Sequence, residues 1–256
     1  MNTVQAGGPV ECILVFSPWL FAGTAGTTSA RNGVVRAWQM DSGFEQTLEG
    51  HTGAIFSLAQ GGSYLFSGGD DMGVKTWQYA DEKFGPLIEL KGHTAPIQAM
   101  KTTPASLISA DRNGAVCMWG LTDGQLQLTI QTQHTMPLMS LWLMDDYLFT
   151  AALDGHIKVW DAQGGQIFDQ VVTNQSNQPS GITSMVVVPE GDGSVMVTAC
   201  DDKALKLWMM PSFDKRGIIG QRAGGHSDVA RCLAKGPKQS FFSGSMDNTI
   251  IVWELV

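Results

Sequence analysis

The chain has 256 residues and a formal net charge of −8, with only 16% charged residues against 30 glycines. A chain this long buries enough surface to fold without disulfides or a metal. Its acidic balance argues against a general affinity for phosphate backbones, which needs clustered Lys and Arg.

Few charges and many glycines suit short strands joined by tight turns, because Gly supplies positive φ at no steric cost. The first apolar stretch, 10–24, contains Glu11 and Pro18. It is shorter than the ~20 residues of a membrane-spanning helix, and no basic segment precedes it. It reads as two core strands. Residues 1–9 read either as a strand that closes the last repeat or as the remnant of a preceding one. In the second repeat, period-two patterning between turn residues predicts strands at 55–60, 64–67, 74–79 and 87–90. The fourth repeat gives the same series at 138–144, 147–152, 156–160 and 166–172, with a tight turn at Asp154-Gly155. An apolar stripe at 3.6-residue spacing is missing throughout, so almost no helix is expected.

Six similar segments each close on a tryptophan: Trp38, Trp77, Trp119, Trp160, Trp208 and Trp253. The spacings of 39, 42, 41, 48 and 45 residues match the ~40–45-residue recurrence of a four-stranded propeller blade. Trp19 and Trp142 fall outside the series and read as packing residues. Ten residues before five of the six sits a hydroxyl: Ser67, Ser109, Thr150, Thr198 and Ser243. Four residues after each hydroxyl comes a turn residue, in order Asp71, Asn113, Asp154, Asp202 and Asp247. A histidine precedes four tryptophans by 26 or 27 residues, namely His51, His93, His134 and His226, and three of them read Gly-His.

This order of Gly-His, Ser/Thr, Asp and Trp resembles WD-repeat proteins, from about Val10 to Val256. The resemblance implies an all-β fold, a single β-propeller domain over 1–256 built of four-stranded antiparallel blades around a channel. Six blades are visible, or seven if an N-terminal blade is missing. It also implies a hydrogen-bond chain from Trp to Ser/Thr to His to Asp within a blade. Complete sets are His51–Ser67–Asp71–Trp77, His134–Thr150–Asp154–Trp160 and His226–Ser243–Asp247–Trp253. The third repeat departs with Asn113 beside His93, Ser109 and Trp119, and the fifth offers Thr198, Asp202 and Trp208 without a histidine. The first is the most divergent, with a longer stretch at 24–32. Those three blades are expected to be less well pinned.

Ser, His and Asp together invite a hydrolase reading. A catalytic constellation is needed once, however, whereas this one recurs with a fixed Trp donor, so it reads as a buried polar fastening and the chain as a non-enzyme. The five histidines lie apart with no zinc-finger spacing, and no Gly-rich phosphate motif joins a strand to a helix. Neither a metal nor a cofactor is expected. The aromatics do not alternate with basic residues as a nucleic-acid platform requires. Cys12, Cys117, Cys200 and Cys232 are scattered and read as reduced structural thiols, which points inside the cell.

The remaining feature is surface. WD-repeat proteins bind partner peptides through the turns after the second strand, and the resemblance implies the same role here for Asp70, Arg112, Leu153, Asp201 and Met246. Thr94, Pro96, Pro137, Ser227 and Asp228 are neighbouring loop positions. Arg and exposed apolar groups are enriched at interface cores, and Asp70 and Asp201 favour partner proteins or basic peptides carrying Lys or Arg. No direct nucleic-acid or membrane contact is expected.

Several segments resemble the propeller region of plant CCCH zinc finger/WD-repeat proteins: 18–23 (PWLFAG), 35–38 (VRAW), 65–69 (LFSGG) and 2–5 (NTVQ). In that family the fingers carry nucleic-acid binding and suggest the nucleus. The CCCH spacing is missing from this sequence, so nucleic-acid binding transfers to no residue of it. The expected function is a protein-interaction scaffold in the nucleus or cytoplasm. Alternatives are the propeller part of a nucleic-acid-associated zinc finger protein and a substrate receptor of a ubiquitin ligase. Against the latter, Gln163 stands where such receptors carry Arg two positions after Trp160-Asp161.

Overall fold

The computed structural model describes residues 3–26 and 32–255. Every extended element is a β-strand that pairs with its neighbour in sequence, and six antiparallel sheets result. The first compact unit, 1–131, holds three of them. Blade 1 is β1 (Val10–Phe16), β2 (Trp19–Thr24), β3 (Val35–Gln39) and β4 (Glu45–Leu48). Blade 2 is β5 (Ile55–Gly61), β6 (Tyr64–Gly69), β7 (Val74–Ala80) and β8 (Lys83–Leu90). Blade 3 is β9 (Ile97–Thr102), β10 (Ser106–Asp111), β11 (Ala115–Gly120) and β12 (Leu126–Gln131).

The second unit, 132–256, begins with blade 4: β13 (Leu138–Met144), β14 (Tyr147–Ala152), β15 (His156–Trp160) and β16 (Gln166–Val171). Blade 5 is β17 (Ile182–Glu190), β18 (Gly193–Cys200), β19 (Leu205–Met210) and β20 (Asp214–Ile219). Blade 6 has three strands among the described residues, β21 (Ala230–Lys235), β22 (Ser240–Ser245) and β23 (Ile250–Glu254). A single 3₁₀ turn, Gln221–Ala223, is the helical content of the described residues. The fold is an all-β propeller.

Residues 3–9, expected as a closing strand or remnant, form no strand; Met1 and Asn2 lie outside the described residues. So do residues 27–31 of the long stretch between β2 and β3. The strand expected at 87–90 begins four residues earlier. Asp81 and Glu82 take positive φ (51° and 64°) in a two-residue hairpin that pairs Ala80 with Lys83. Positive φ at both central residues gives a turn the right-handed twist of its strands. Pro86 sits opposite Trp77 in an outermost strand, where one edge needs no donor.

The register repeats from blade to blade. Each second-strand hydroxyl faces a third-strand residue: Ser67 with Lys75, Ser109 with Cys117, Thr150 with Lys158, Thr198 with Lys206 and Ser243 with Ile251. Blade 1 has Ala22 opposite Arg36 at this position. One step further on, a small residue (Gly23, Gly68, Ala110, Ala151 or Ala199) faces Val35, Val74, Val116, Ile157 or Leu205. Those five apolar residues are at most 1% exposed.

The same position in blade 6 is Ile250, opposite Gly244 and 76% exposed, and its neighbour on that face, Val252, is 62% exposed. In blade 1, Ile13 (66%) and Val15 (62%) are at the surface, although Met100, Leu141 and Met185 at the register position of Ile13 are buried.

Candidate functional site

In blades 2 to 6 the hydroxyl is placed by its strand register under the closing tryptophan. In blade 2, the Trp77 indole donates to Ser67 Oγ (2.8 Å), and Ser67 Oγ lies 2.7 Å from His51 Nε2. His51 Nδ1 is 2.8 Å from Asp71 Oδ2, which also accepts the Thr52 N–H (3.0 Å). A carboxylate only accepts, so the proton sits on Nδ1 and Nε2 accepts from the hydroxyl. Burial alone would push the Asp71 carboxyl up; the His51 ring and the Thr52 N–H outweigh it and hold it below its usual value.

Blade 4 repeats this with Trp160 to Thr150 (3.0 Å), Thr150 to His134 Nε2 (2.9 Å) and His134 Nδ1 to Asp154 (3.0 Å). Here burial is again outweighed, by His134 and the His156 and Thr135 N–H groups, and Asp154 falls to about 2. Blade 6 has Trp253 to Ser243 (2.8 Å), Ser243 to His226 Nε2 (2.7 Å) and His226 Nδ1 to Asp247 (3.1 Å).

Blade 3 corrects the sequence reading. Trp119, Ser109 and His93 are linked at 2.8 and 2.7 Å, but His93 Nδ1 meets Asp111 Oδ2 at 3.0 Å, and Asn113 is exposed. Asp111 is wholly buried at the end of β10, and its Oδ1 accepts the Asn113 and Ala115 N–H groups. The carboxylate therefore comes from the strand end, two residues before the expected position, and folds back under its own turn. An acidic residue just before a polar turn was the available signal. Blade 3 is as fully linked as blades 2, 4 and 6.

Blade 5 lacks the histidine and is fastened differently. Trp208 donates to Thr198 Oγ1 (3.2 Å). Asp202 meets Lys206 Nζ at 2.8 Å, with the Lys206 side chain 1% exposed. Burial pushes the neighbouring Cys200 thiol up to about 11, and the Cys12 thiol in blade 1 up to about 12. Such thiols are inert packing groups. Blade 1 has no hydroxyl at the register position, since Ala22 occupies it.

Ser67, Ser109, Thr150, Thr198 and Ser243 are all 0% exposed. A nucleophile must reach its substrate, and these oxygens reach only their own blade. Among the described residues, three or more His, Cys, Asp or Glu nowhere converge as a metal-ligand set.

The five residues expected at the partner edge share one backbone position. Each donates its N–H to the carbonyl that precedes its blade's first strand: Asp70 to Ala54 (2.9 Å), Arg112 to Pro96 (2.8 Å), Leu153 to Pro137 (3.0 Å), Asp201 to Gly181 (2.8 Å) and Met246 to Val229 (3.0 Å). In blade 1, Ala25 donates to Pro9 (3.0 Å) in the same way, a sixth member that sequence spacing missed because the following turn is longer. The side chains of Asp70, Arg112, Asp201 and Met246 are exposed and that of Leu153 is half-buried. Arg112 lies 5.8 Å over the Phe56 ring, within cation–π range. Asp201 accepts from Ser180 Oγ (3.0 Å). A Cβ on Gly53 would stand 2.8 Å from that of Asp70, so only glycine lets the loop lie against it. Thr94 and Ser227 are exposed, whereas Pro96, Pro137 and Asp228 are half-buried.

Comparison with known proteins agrees with this geometry. The family model described as "WD domain, G-beta repeat" matches residues 43–78, 125–161 and 220–254. The chain is 27% identical to zinc finger CCCH domain-containing protein 17 of Oryza sativa subsp. japonica, over 100% of this chain and 56% of that protein. It is 29% identical to zinc finger CCCH domain-containing protein 48 of Arabidopsis thaliana, over 99% of this chain and 56% of that protein. Nuclear distribution protein PAC1 of Arthroderma otae is 27% identical, over 86% of this chain and 54% of that protein. The chain thus spans about half the length of the curated relatives it matches.

Proposed function

This chain is a WD-repeat β-propeller, and from that premise we propose that it is a non-enzymatic protein-interaction scaffold. Partners would engage the turns that carry Asp70 and Arg112 in the first unit, or those that carry Leu153, Asp201 and Met246 in the second. The observation that carries this reading is the shared backbone position of these residues. Their main chain completes the blade, while side chains of three chemistries (acidic, cationic and apolar) are left to the surface. Arg and exposed apolar groups are what interface cores favour, and the two carboxylates select segments bearing Lys or Arg.

The test is affinity purification from native cells with the wild-type chain and with a Leu153→Arg, Met246→Asp variant, followed by quantitative identification of retained proteins. We expect at least one protein to be held by the wild type and lost from the variant while the thermal midpoint is unchanged. Equal retention of every bound protein by both forms would sink the assignment.

A second reading is favoured by the similarity to plant zinc finger CCCH proteins. It makes the chain the propeller part of a nucleic-acid-associated protein, acting in the nucleus or cytoplasm, with the nucleic-acid contact outside these residues. Salt-sensitive binding of the isolated chain to RNA would instead put that contact within it.

A further inference from the structure

A cleft of about 740 Å³ opens in the second unit, bounded by the segment before β17, the β18–β19 turn and the segment joining β20 to β21. It lies where blade 5 departs from its neighbours. In blades 2, 3, 4 and 6 the segment before the first strand inserts an imidazole between hydroxyl and carboxylate. In blade 5 that segment closes on itself instead. Thr173 bridges Pro179, and Asn174 Oδ1 accepts the Ser176 and Gln178 N–H groups. Asp202 and Lys206 are left as part of the cleft wall.

The charge of that wall runs against the charge of the chain. Lys203, Lys206 and Arg222 line the cleft with one carboxylate, Asp202, and a second, Asp228, touches Lys203 from beside it, so one positive charge is in excess in a protein of net charge −8. The Lys206 ammonium carries three donors and has one carboxylate at 2.8 Å, with its side chain 1% exposed. It acts from below as a fixed positive charge in a poorly solvated position, where a second anion is worth more than in water. Arg222 is exposed at the rim; Lys203, also exposed, rests 3.3 Å from Asp228 Oδ1 and donates to the Ser227 carbonyl (3.2 Å), surface contacts that a doubly charged ligand can draw it away from. His226 also lines the cleft, but both its ring nitrogens are committed to Ser243 and to Asp247 and Thr249, so it adds a wall and no charge-bearing contact. The other polar groups are the neutral amides and hydroxyl of Asn174, Gln175, Ser176 and Gln221.

We infer that this cleft binds a phosphomonoester, with Arg222 and Lys203 gripping the phosphate and Lys206 holding the floor positive. A phosphomonoester brings close to two negative charges and three strong acceptor oxygens, which suits cations flanked by neutral donors. Two sources share this chemistry: a phosphoserine in a partner segment and a small free phosphate ester. The cleft shares the β18–β19 turn with Asp201 of the proposed partner edge, but its cations are other residues, so either assignment can fail without the other.

The experiment is calorimetric titration of the full chain with phenyl phosphate, with a short peptide centred on phosphoserine, and with the same peptide unphosphorylated. We expect saturable, salt-sensitive binding of the two phosphorylated probes and at least tenfold weaker binding of the unphosphorylated one. Arg222→Ala and Lys203→Ala should each weaken phosphate binding at least fivefold, whereas Lys83→Ala, outside the cleft, should leave it unchanged. These three residues are exposed, and unchanged circular dichroism would show that the variants fold. A phosphopeptide that binds at least tenfold tighter than phenyl phosphate identifies a partner segment as the source; equal affinities identify a free ester. Absence of saturable binding by either phosphorylated probe, or wild-type affinity in both cleft variants, overturns the proposal.

Discussion

Asp111 and His93 meet at 3.0 Å in blade 3, with the carboxylate supplied from the last residue of a strand. Blades 2, 4 and 6 supply theirs from the turn beyond. The same imidazole is anchored by a backbone position two residues away, so what is fixed is the location of the charge in space.

Exchanging residues 111 and 113 one at a time separates these positions. Asp111→Ala removes the acceptor of a buried ring N–H and should cost about 1–3 kcal/mol in urea unfolding. Asn113→Ala, at an exposed side chain, should stay within about 0.5 kcal/mol of wild type. Equal effects of the two substitutions would show that Asp111 is not the partner of His93 in solution.

His93 also sets a pH dependence. Burial by itself pushes the ring down, but the Asp111 carboxylate and the Cys117 thiol outweigh it and raise the ring from 6.5 to about 9. The folded value lies above the unfolded one, so the stabilisation is complete below pH 6.5 and is lost as pH rises toward 9. Unfolding curves from pH 6 to 9.5 should show this decline, up to about 3 kcal/mol, and His93→Gln should flatten it. A wild-type profile as flat as the variant's would contradict the assignment.

Asp154 works on the acid side. Its folded value, about 2, lies below the ordinary 3.8. Its contribution is present above pH 3.8 and disappears as pH falls toward 2. Asp154→Asn should therefore be less stable than wild type at pH 6 and lose less on acidification. Parallel acid-unfolding curves for the two proteins would count against this.

Blade 5 permits a test of its substitute fastening. Asp202→Ala strands the buried Lys206 ammonium, and breaking such a pair costs about 3–5 kcal/mol. Lys206→Met removes the charge and keeps the packing, which is often neutral or better. The lysine substitution should thus be the milder one by thermal unfolding, and the reverse order would mean that the pair is solvated.

A last pair compares one register position in two blades. Val74→Thr places a hydroxyl where exposure is 0% and should destabilise by about 1–3 kcal/mol. Ile250→Thr, at 76% exposure, should stay within about 0.5 kcal/mol of wild type. A comparable loss at Ile250 would show that this face is covered in solution.

Much of this architecture was legible in the sequence because Trp, hydroxyl and His recur at offsets that a strand register imposes. Legibility ended where a side chain's role depends on what packs against it. Ile250 and Val252 alternate with their neighbours as Val74 and Thr76 do, yet one pair is exposed and the other buried. A lysine inside a strand carries no mark of burial, so nothing in the sequence sets Lys206 apart; Asp111 lies two residues before the offset at which blades 2, 4 and 6 place their carboxylate. Outer strands such as β16, exposed along most of its length, carry little apolar pattern, and Pro86 hid half of β8.

At Ala25, Asp70, Arg112, Leu153, Asp201 and Met246, the contact that all six blades share is the main-chain N–H. Any residue other than proline can supply it, so this shared contact places no chemical demand on the six side chains; what demand there is comes from local neighbours such as Ser180 at Asp201 and Phe56 at Arg112. On the proposed reading, substitutions there would change what the propeller grips while its scaffold stays the same. Transplanting the six identities onto another propeller of this register should move recognition without moving stability.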